Sequence, residues 1–476
     1  MVLKIFNTFG RRKEEFVPLH PGEVRIYVCG PTVYDYIHIG NARAFVVADV
    51  VRRYLEYKGF RVKYVSNITD IDDKMINRAK ETGLTVQELG EIYSEAYFED
   101  IAKLNVKRPD VTPRATQHIP EIIEAIETLI EKGYAYVADG DVYFDVSKFE
   151  EYGKLSGNRA EALKMGARIE VNPKKRNPAD FALWKGWKPG EPGWHSPWGK
   201  GRPGWHIECS TMAQRYLGET LDIHMGGKDL IFPHHENEIA QAEAVTGKTF
   251  VRYWLHNEWL TVEGEKMSKS LGNFVTVRDA LKMCSPPVLR YFLISAHYRS
   301  PLDFSREVLR TCERNLERLL RALERLSGLP ERDSCTSEDE ELLSEVEEAK
   351  KKFEEAMDDD FNTPLAISAL FSIAGAINSY ADVNERIGKA VKQKVFKTFT
   401  DLLDVLGIEW SIEKHEVDQS ELVGDLISLL VDVRNELRKQ KEWELADSIR
   451  EKLKRIGVIL EDTPQGTRWA ISKKPA

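Results

Sequence analysis

The stretch from Arg25 to Asn41 constrains this chain more than any other. It reads Arg-Ile-Tyr-Val-Cys-Gly-Pro-Thr-Val-Tyr-Asp-Tyr-Ile-His-Ile-Gly-Asn. Arg25 to Val28 have the pattern of a short buried strand. Gly30 and Pro31 break it at once, which marks a sharp turn off its carboxyl end. Apolar periodicity resumes at Ala42 and predicts a helix over Ala42–Glu56. Cys29 and His38 therefore fall where a first strand hands over to a first helix. Ligands of open α/β sheets bind outside the carboxyl ends of the strands. A thiol and an imidazole placed there are candidates for chemistry, although each taken singly also reads as a buried cysteine or a loop histidine.

A second strand, Arg61–Ser66, completes a βαβ unit, the start of a doubly wound parallel sheet. Asn67-Ile-Thr-Asp-Ile-Asp-Asp-Lys follows it, again at a carboxyl end. A long helix is expected over Val86–Asn105. From His118 the texture changes to a helix (Pro120–Glu131), strand patterns around Tyr134–Phe144, and a Pro-, Gly- and Trp-rich run from Asn172 to Gly204. This reads as an insertion that splits the α/β domain. Leu289 to Leu406 is mostly helical, with Arg310–Leu326 rich in Leu at helical spacing and Pro330–Glu341 read as a linker; such a run makes a bundle with solvated charged faces. The end, from Ser420, has two helical stretches and a strand-like segment at Thr467–Ser472. The expected divisions are 1–117 and 204–256 for the two halves of the α/β domain, 118–203 for the insertion, 257–309, 310–406 and 407–476.

A chain of 476 residues has room for several cores. A formal net charge of −9 excludes a histone-like basic binder but leaves room for a local basic face. The five cysteines, at 29, 209, 284, 312 and 335, are far apart and include no CxxC. A disulfide framework is not expected, and a reducing cytoplasm is the natural home. Met1–Gly10 lacks the apolar core of a signal peptide, and no window is read as long enough to span a membrane.

Three stretches bear on chemistry. In Pro233-His-His-Glu-Asn-Glu238, His234 and Glu238 are four apart and share a face if a helix opens there. Such a pair offers two zinc ligands, and Cys29 and Cys209 extend it to a Cys/Cys/His/Glu set drawn from three places. The competing reading is two structural cysteines and a helix N-terminus stabilised by Glu. In Glu265-Lys-Met-Ser-Lys-Ser-Leu-Gly-Asn, two lysines bracket a hydroxyl residue. Phosphoryl chemistry needs mobile cations of that kind, though a solvated basic turn reads alike. Gly199-Lys-Gly-Arg-Pro-Gly204 fits a dinucleotide fingerprint only in spelling, because no strand precedes it and Pro203 interrupts it. Gly226-Gly-Lys228 lacks the leading glycine of a P-loop.

His38-Ile-Gly-Asn41 and Lys266-Met-Ser-Lys-Ser270 resemble the two signature motifs of class I aminoacyl-tRNA synthetases. Cys29-Gly-Pro-Thr-Val-Tyr-Asp35, Gly204-Trp-His-Ile-Glu-Cys209, Phe232-Pro-His-His-Glu-Asn-Glu238 and Asp358-Asp-Asp-Phe-Asn-Thr-Pro364 narrow the resemblance to the cysteinyl-tRNA synthetase family. It runs over nearly the whole chain, to Glu461-Asp-Thr-Pro-Gln-Gly-Thr-Arg-Trp469. Asn41 stands where other synthetases often carry a second His, but the cysteine-specific members resemble this sequence there.

The resemblance implies a Rossmann-like catalytic domain with an insertion, then an α-helical bundle and a small C-terminal anticodon-binding domain. It implies that Cys29, Cys209, His234 and Glu238 hold one zinc ion, which recognises the thiolate of L-cysteine. Serine differs by one atom, and shape alone separates near-isosteres poorly. Thr69 and Trp205 would line the amino-acid pocket. His38 and Asn41 would meet the ATP phosphates, with Gly40 against adenine, Asp229 by the ribose, and magnesium on the phosphates. Lys266 and Lys269 would stabilise the α-phosphoryl transition state. The implied RNA partner is the tRNA for cysteine, with Arg434, Arg438, Lys439 and Lys441 forming a basic face beside Trp443, and Arg468 paired with Trp469. A cytoplasmic monomer is expected. Two rivals remain: an ATP-dependent ligase joining cysteine to an amino sugar, as in mycothiol synthesis, and a zinc-dependent binder without catalysis. The first lacks the anticodon-binding end, and the second has no need of Lys266 and Lys269.

Overall fold

In the computed structural model the described residues are 2–157, 173–267, 272–410, 419–463 and 466–471. They divide into two units, Met1–Trp410 and Ser411–Ala476.

The first unit opens with a hairpin, β1 (Lys4–Asn7) and β2 (Arg12–Glu15). Next comes β3 (Glu23–Val28), α1 (Ile39–Tyr57) and β4 (Arg61–Ser66). The strand reads one residue pair longer than its apolar core, and the helix starts three residues earlier than its periodicity predicts. His38 explains the early start: its Nδ1 accepts from Asn41 N while Asn41 Oδ1 accepts from His38 N. That reciprocal cap satisfies two donors that a helix end leaves open. Helices α2 (Asp73–Thr82), α3 (Val86–Lys103) and α4 (Ile119–Glu131) follow, each of the last two close to its expected span.

The insertion is a four-stranded antiparallel sheet in the order β5 (Ala135–Ala138), β6 (Asp141–Phe144), β7 (Phe181–Gly186), β8 (Gly201–Pro203). It delivers the chain through Gly204 into α5 (Trp205–Leu217), then β9 (Leu221–Gly227), α6 (Glu236–Thr246) and β10 (Val251–Asn257). The main sheet is parallel throughout, in the order β10-β9-β3-β4. Order reverses between β3 and β9, since β4 lies on one side and β10 on the other. Both faces are covered, as a buried parallel sheet requires. Val24, Ile26 and Val28 of β3 pack with α1 in one core, while Tyr27 points into a second core with α5, α6 and the insertion.

A small sheet follows, β11 (Leu260–Val262) with β12 (Glu265–Lys266) antiparallel on one side and β13 (Leu302–Phe304) parallel on the other. The short α7 (Val277–Ala280) and α8 (Pro286–Ile294) lie between β12 and β13 in sequence. The bundle is α9 (Arg306–Gly328), α10 (Ser337–Asp358), α11 (Thr363–Val383) and α12 (Lys389–Val405). Its apolar residues belong to the same core as α1. The run 330–341, read as a linker, instead holds β14 (Glu331–Arg332), paired with β15 (Ile387–Gly388), and the start of α10, whose N-terminus is capped by Thr336. The reading that no window is membrane-long also needs correcting. Helix α11 is long and apolar enough by length and composition. Its Leu370, Ile373 and Ile377 are fully buried in the bundle, so packing explains its apolarity.

The second unit has α13 (Gln419–Lys439), α14 (Trp443–Arg455) and a hairpin of β16 (Val458–Thr463) and β17 (Gly466–Ile471). Ile427, Val431, Leu453, Val458 and Leu460 form its core. Trp469 packs against that core, and its Nε1 donates to Ser428 Oγ at 3.3 Å. Its ring is thus partly structural. Arg434 is buried and makes a two-pronged ion pair with Asp462, which also accepts from Arg438 at 2.8 Å. The expected basic face beside Trp443 is therefore partly neutralised within the unit.

Candidate active site

The crevice at the carboxyl ends of β3, β4, β9 and β10 is built from close backbone contact. Asn67, just past β4, accepts from Gly30 N at 2.9 Å, just past β3. A Cβ at Gly30 would lie 1.5 Å from the Asn67 carbonyl oxygen, so only glycine lets the two segments meet.

Cys29 leaves β3 at this point, its N–H still bonded to Met225 O of β9. Cys209 comes from the second turn of α5, His234 from the turn that leads into α6, and Glu238 from the first turn of α6. Cys29 Sγ lies 3.9 Å from Cys209 Sγ and 3.4 Å from Glu238 Oε1; His234 Nε2 lies 3.0 Å from the same oxygen. All four donor atoms lie within 4.8 Å of one another. Tetrahedral zinc, with bonds of about 2.3 Å to sulfur and about 2.0–2.1 Å to nitrogen and oxygen, needs edges of roughly 3.8 Å between sulfurs and 3.4 Å between nitrogen and oxygen. The observed spacings and the donor chemistry both fit that ion.

Charge is arranged for it as well. The Cys29 thiol donates toward Cys209, and that hydrogen bond draws the Cys209 thiol down to about 6 against the effect of burial. Burial pushes the Cys29 thiol well up. Burial would raise Glu238, but His224 and His234 outweigh it and hold its carboxyl at about 2. Burial would lower His234, but Glu238 and Cys209 outweigh it and raise the imidazole to about 10. The cluster is thus one imidazolium among anions, and a metal ion would take over the role of the proton.

Four further histidines surround this set, and the sequence reading did not single them out. His224 Nε2 lies 2.9 Å from Glu238 Oε2, and His206 Nδ1 lies 2.8 Å from His234 Nδ1. His235 Nε2 lies 3.4 Å from Cys29 Sγ, and its Nδ1 lies 2.7 Å from His256 Nε2; Thr8 Oγ1 meets Nδ1 of the same His256 ring at 2.8 Å. Cys29, His224, His235 and Glu238 form a second group within 4.8 Å that shares two donors with the first. The two sets overlap, so a single ion could engage only one of them, and only the first holds two thiols. In that first set the contact from His224 would hold the outer oxygen of Glu238, as supporting partners of metal ligands do. The available signal was a histidine within each of two apolar parallel strands, His224 midway along β9 and His256 near the carboxyl end of β10.

Trp205 opens α5 with its ring centroid 4.1 Å from that of His234. Thr69 is buried on the segment after β4, its Oγ1 accepting from Asn67 Nδ2 at 3.2 Å. Trp205 thus packs on one of the four donors, whereas Thr69 reaches the cluster through Asn67, whose Oδ1 lies 3.8 Å from Cys209 Sγ. Glu208, beside Cys209, was also missed. It is fully buried, and burial, against only a lowering pull from Thr69, holds it well above the carboxylate range.

The second half of the crevice lies at the start of α1. With Nδ1 of His38 accepting from Asn41 N, the proton of the neutral ring is on Nε2. Ile39 N donates to Val275 O and Val277 N to Ile37 O, so the His38 segment runs beside the one that follows residue 271. A Cβ at Gly40 would lie 2.9 Å from His38 Nδ1 and 3.4 Å from Met267 Cε. The structure therefore places Gly40 against Met267, the residue after Lys266, with the His38 ring close to Gly40. Lys266 ends β12, its backbone paired with Thr261. Lys269 lies outside the described residues. Asp229 is exposed just past β9, at the rim of the same crevice.

Residues 15–314 match the family of class I tRNA synthetase (C) catalytic domains, and residues 352–410 match the DALR domain. The chain is 53% identical over 473 residues to a cysteine--tRNA ligase of Thermococcus gammatolerans, covering 98% of this chain and 99% of that one. It is 53% identical over 476 residues to the same enzyme of Moorella thermoacetica, covering 98% and 100%. Among solved structures, a Mycobacterium tuberculosis methionyl-tRNA synthetase superposes with a TM-score of 0.59 at 16% identity, covering 81% of this chain and 89% of that chain. A LeuRS of Agrobacterium radiobacter superposes with a TM-score of 0.60 at 11% identity, covering 83% and 84%. These two share the fold; the family follows from the matched catalytic domain and the full-length relatives. By that evidence the chain belongs to the cysteine--tRNA ligases, a family of class I aminoacyl-tRNA synthetases.

Proposed function

We propose that the chain activates L-cysteine with ATP to cysteinyl-adenylate and pyrophosphate, then transfers cysteine to its cognate tRNA, with the four-donor cluster selecting the amino acid. One observation carries the reading: Cys29, Cys209, His234 and Glu238 converge within 4.8 Å in a crevice shared with the His38 and Lys266 segments. Bound zinc would supply a thiolate-selective Lewis acid there, a large chemical difference between cysteine and serine.

The roles of the chain's own residues follow. Trp205 and Thr69 would wall the amino-acid pocket beside the cluster. His38 and Asn41 would hold the ATP phosphates, which carry magnesium as part of the substrate. Gly40 would let adenine lie flat, and Asp229 would meet the ribose. Lys266 and Lys269 would follow the charge that builds as the carboxylate attacks and pyrophosphate leaves. Such catalysis is positioning plus electrostatics, with no protein nucleophile. Divisions at 118–203, 257–309, 310–406 and 407–476 would then serve tRNA end, stem and anticodon. In support, Arg176, Lys188 and Lys200 of the insertion are exposed, whereas Lys174, Lys185 and Arg202 are held by Asp141 and Asp73. A cytoplasmic monomer suits a chain whose site residues all lie in one unit.

The amino-sugar ligase is disfavoured by the DALR match over 352–410 and by the folded unit beyond it. Cysteine-dependent exchange of pyrophosphate into ATP, run beside charging of the tRNA for cysteine and metal analysis, tests the proposal. Exchange without charging would point to the sugar ligase. Absence of both would leave a binder.

A further inference from the structure

Arg43 sits on α1, one turn beyond the His38–Asn41 cap, and is fully buried. No carboxylate among the described residues makes an ion pair with it; four backbone carbonyls meet it instead. Its Nη1 donates to Glu258 O at 3.0 Å and Trp259 O at 3.1 Å, and its Nη2 to His297 O at 3.2 Å and Ser300 O at 2.7 Å. Its Nε has no described partner. Burial lowers the guanidinium to about 10, against the pull of Glu258, so it stays charged at neutral pH.

A buried cation without a counter-ion is costly, and a methionine would fill similar space without that cost. What the guanidinium adds is a rigid fork that spans two strands' approaches at once. Glu258 and Trp259 lie between β10 and β11, and His297 and Ser300 lead into β13. These are the two parallel strands of the small sheet. Strand β12, which ends at Lys266, hangs from β11 by the pairs Thr261↔Lys266 and Val262↔Glu265. Every acceptor of Arg43 therefore belongs to the root of the sheet that presents Lys266 and Met267. At the other end, the cap of the same helix presents His38 to Met267 across Gly40.

We infer that Arg43 is a positioning residue for adenylate formation: it fixes the sheet bearing Lys266 at one spacing from the helix cap bearing His38. This rests on the reading of those two segments as the ATP site. Neither the zinc ligands nor Trp205 and Thr69 touch Arg43, so the amino-acid pocket should not sense its loss.

Full-length Arg43→Lys and Arg43→Gln test this, with His38→Ala as a control. For Arg43→Gln we expect kcat of cysteine-dependent pyrophosphate exchange to fall roughly 10- to 100-fold, the scale of a misplaced reacting group. KM for ATP should rise, while zinc content and KM for cysteine stay at the unmodified values. Arg43→Lys keeps the charge and reaches fewer carbonyls, so it should recover part of the loss and carries the test if the glutamine variant does not fold. Unmodified kcat and KM for ATP in both variants, with His38→Ala inactive, would overturn the inference alone. Unmodified exchange in all three would overturn the reading of both motifs. A loss that only tracks the folded fraction, equal for ATP and cysteine, or failure of both Arg43 variants to fold, would reduce Arg43 to a structural part and also overturn it.

Discussion

At Gly30 a single methyl group decides whether the crevice can close, since a Cβ would sit 1.5 Å from Asn67 O. Gly30→Ala is expected to cost more than about 3 kcal/mol, because backbone on both sides must shift. Thermal unfolding checks this, and an unmodified midpoint would refute it. Cys209→Ser is expected to lower zinc content and cysteine affinity together; unchanged zinc would remove Cys209 from the ligand set. At this scale the sequence was legible through its motifs rather than its spacing. Cys29 and Cys209 are 180 residues apart, and only His234 and Glu238 form a local pair. His224 and His256 escaped notice because one histidine in an apolar strand looks like a packed core residue. Burial among rings, which sequence does not display, is what couples them to Glu238 and His235.

Among the elements, α1 ties the site to the bundle. Its Asp49 is buried against Arg290 of α8 at 2.6 Å, and Arg290 also donates to Leu104 O, Asn105 O and Leu406 O. Removing one partner of a buried pair strands the other charge. Asp49→Asn is expected to cost about 3–5 kcal/mol, read as a lowered denaturation midpoint. The amphipathic period of α1 was readable, but its first turn was not, because a histidine cap is not a common start signal. On β16, Asp462 is held well below the usual carboxylate range, first by the hydrogen bonds from Arg434 and then by Thr467 and Arg438. Its depressed value adds stability above about pH 4, the unfolded carboxylate range, and that stability is lost as pH falls further toward the folded value. Hydrogen-exchange protection in residues 419–463 of the full chain, taken relative to the intrinsic exchange rate at each pH, should therefore fall below about pH 4, and Asp462→Asn should flatten that dependence. A slope unaffected by the substitution would exclude Asp462 as the cause. The pairing was illegible from sequence because Arg434 and Arg438 look like open surface charges until the hairpin brings Asp462 beneath them.

For the whole molecule, the doubly wound sheet, its split by an insertion and the helical run after it were all legible from alternating patterns. The point where strand order reverses was not, because it depends on which strands become neighbours across the insertion. One core joins the sheet's α1 face to the bundle, whereas the last unit has a small core of its own. Ending the chain after Trp410 should therefore leave cysteine-dependent pyrophosphate exchange in place while charging of tRNA falls. Loss of exchange together with charging would show that the first unit depends on the second.

Glu238 follows Cys29 by 209 positions, with the entire antiparallel insertion emerging between them. A ribosome working at about 5–20 residues per second leaves that first thiol without its partners for roughly ten to forty seconds. Oxidative damage to the cluster thus has its widest window during translation, before the crevice has formed, rather than in the finished enzyme.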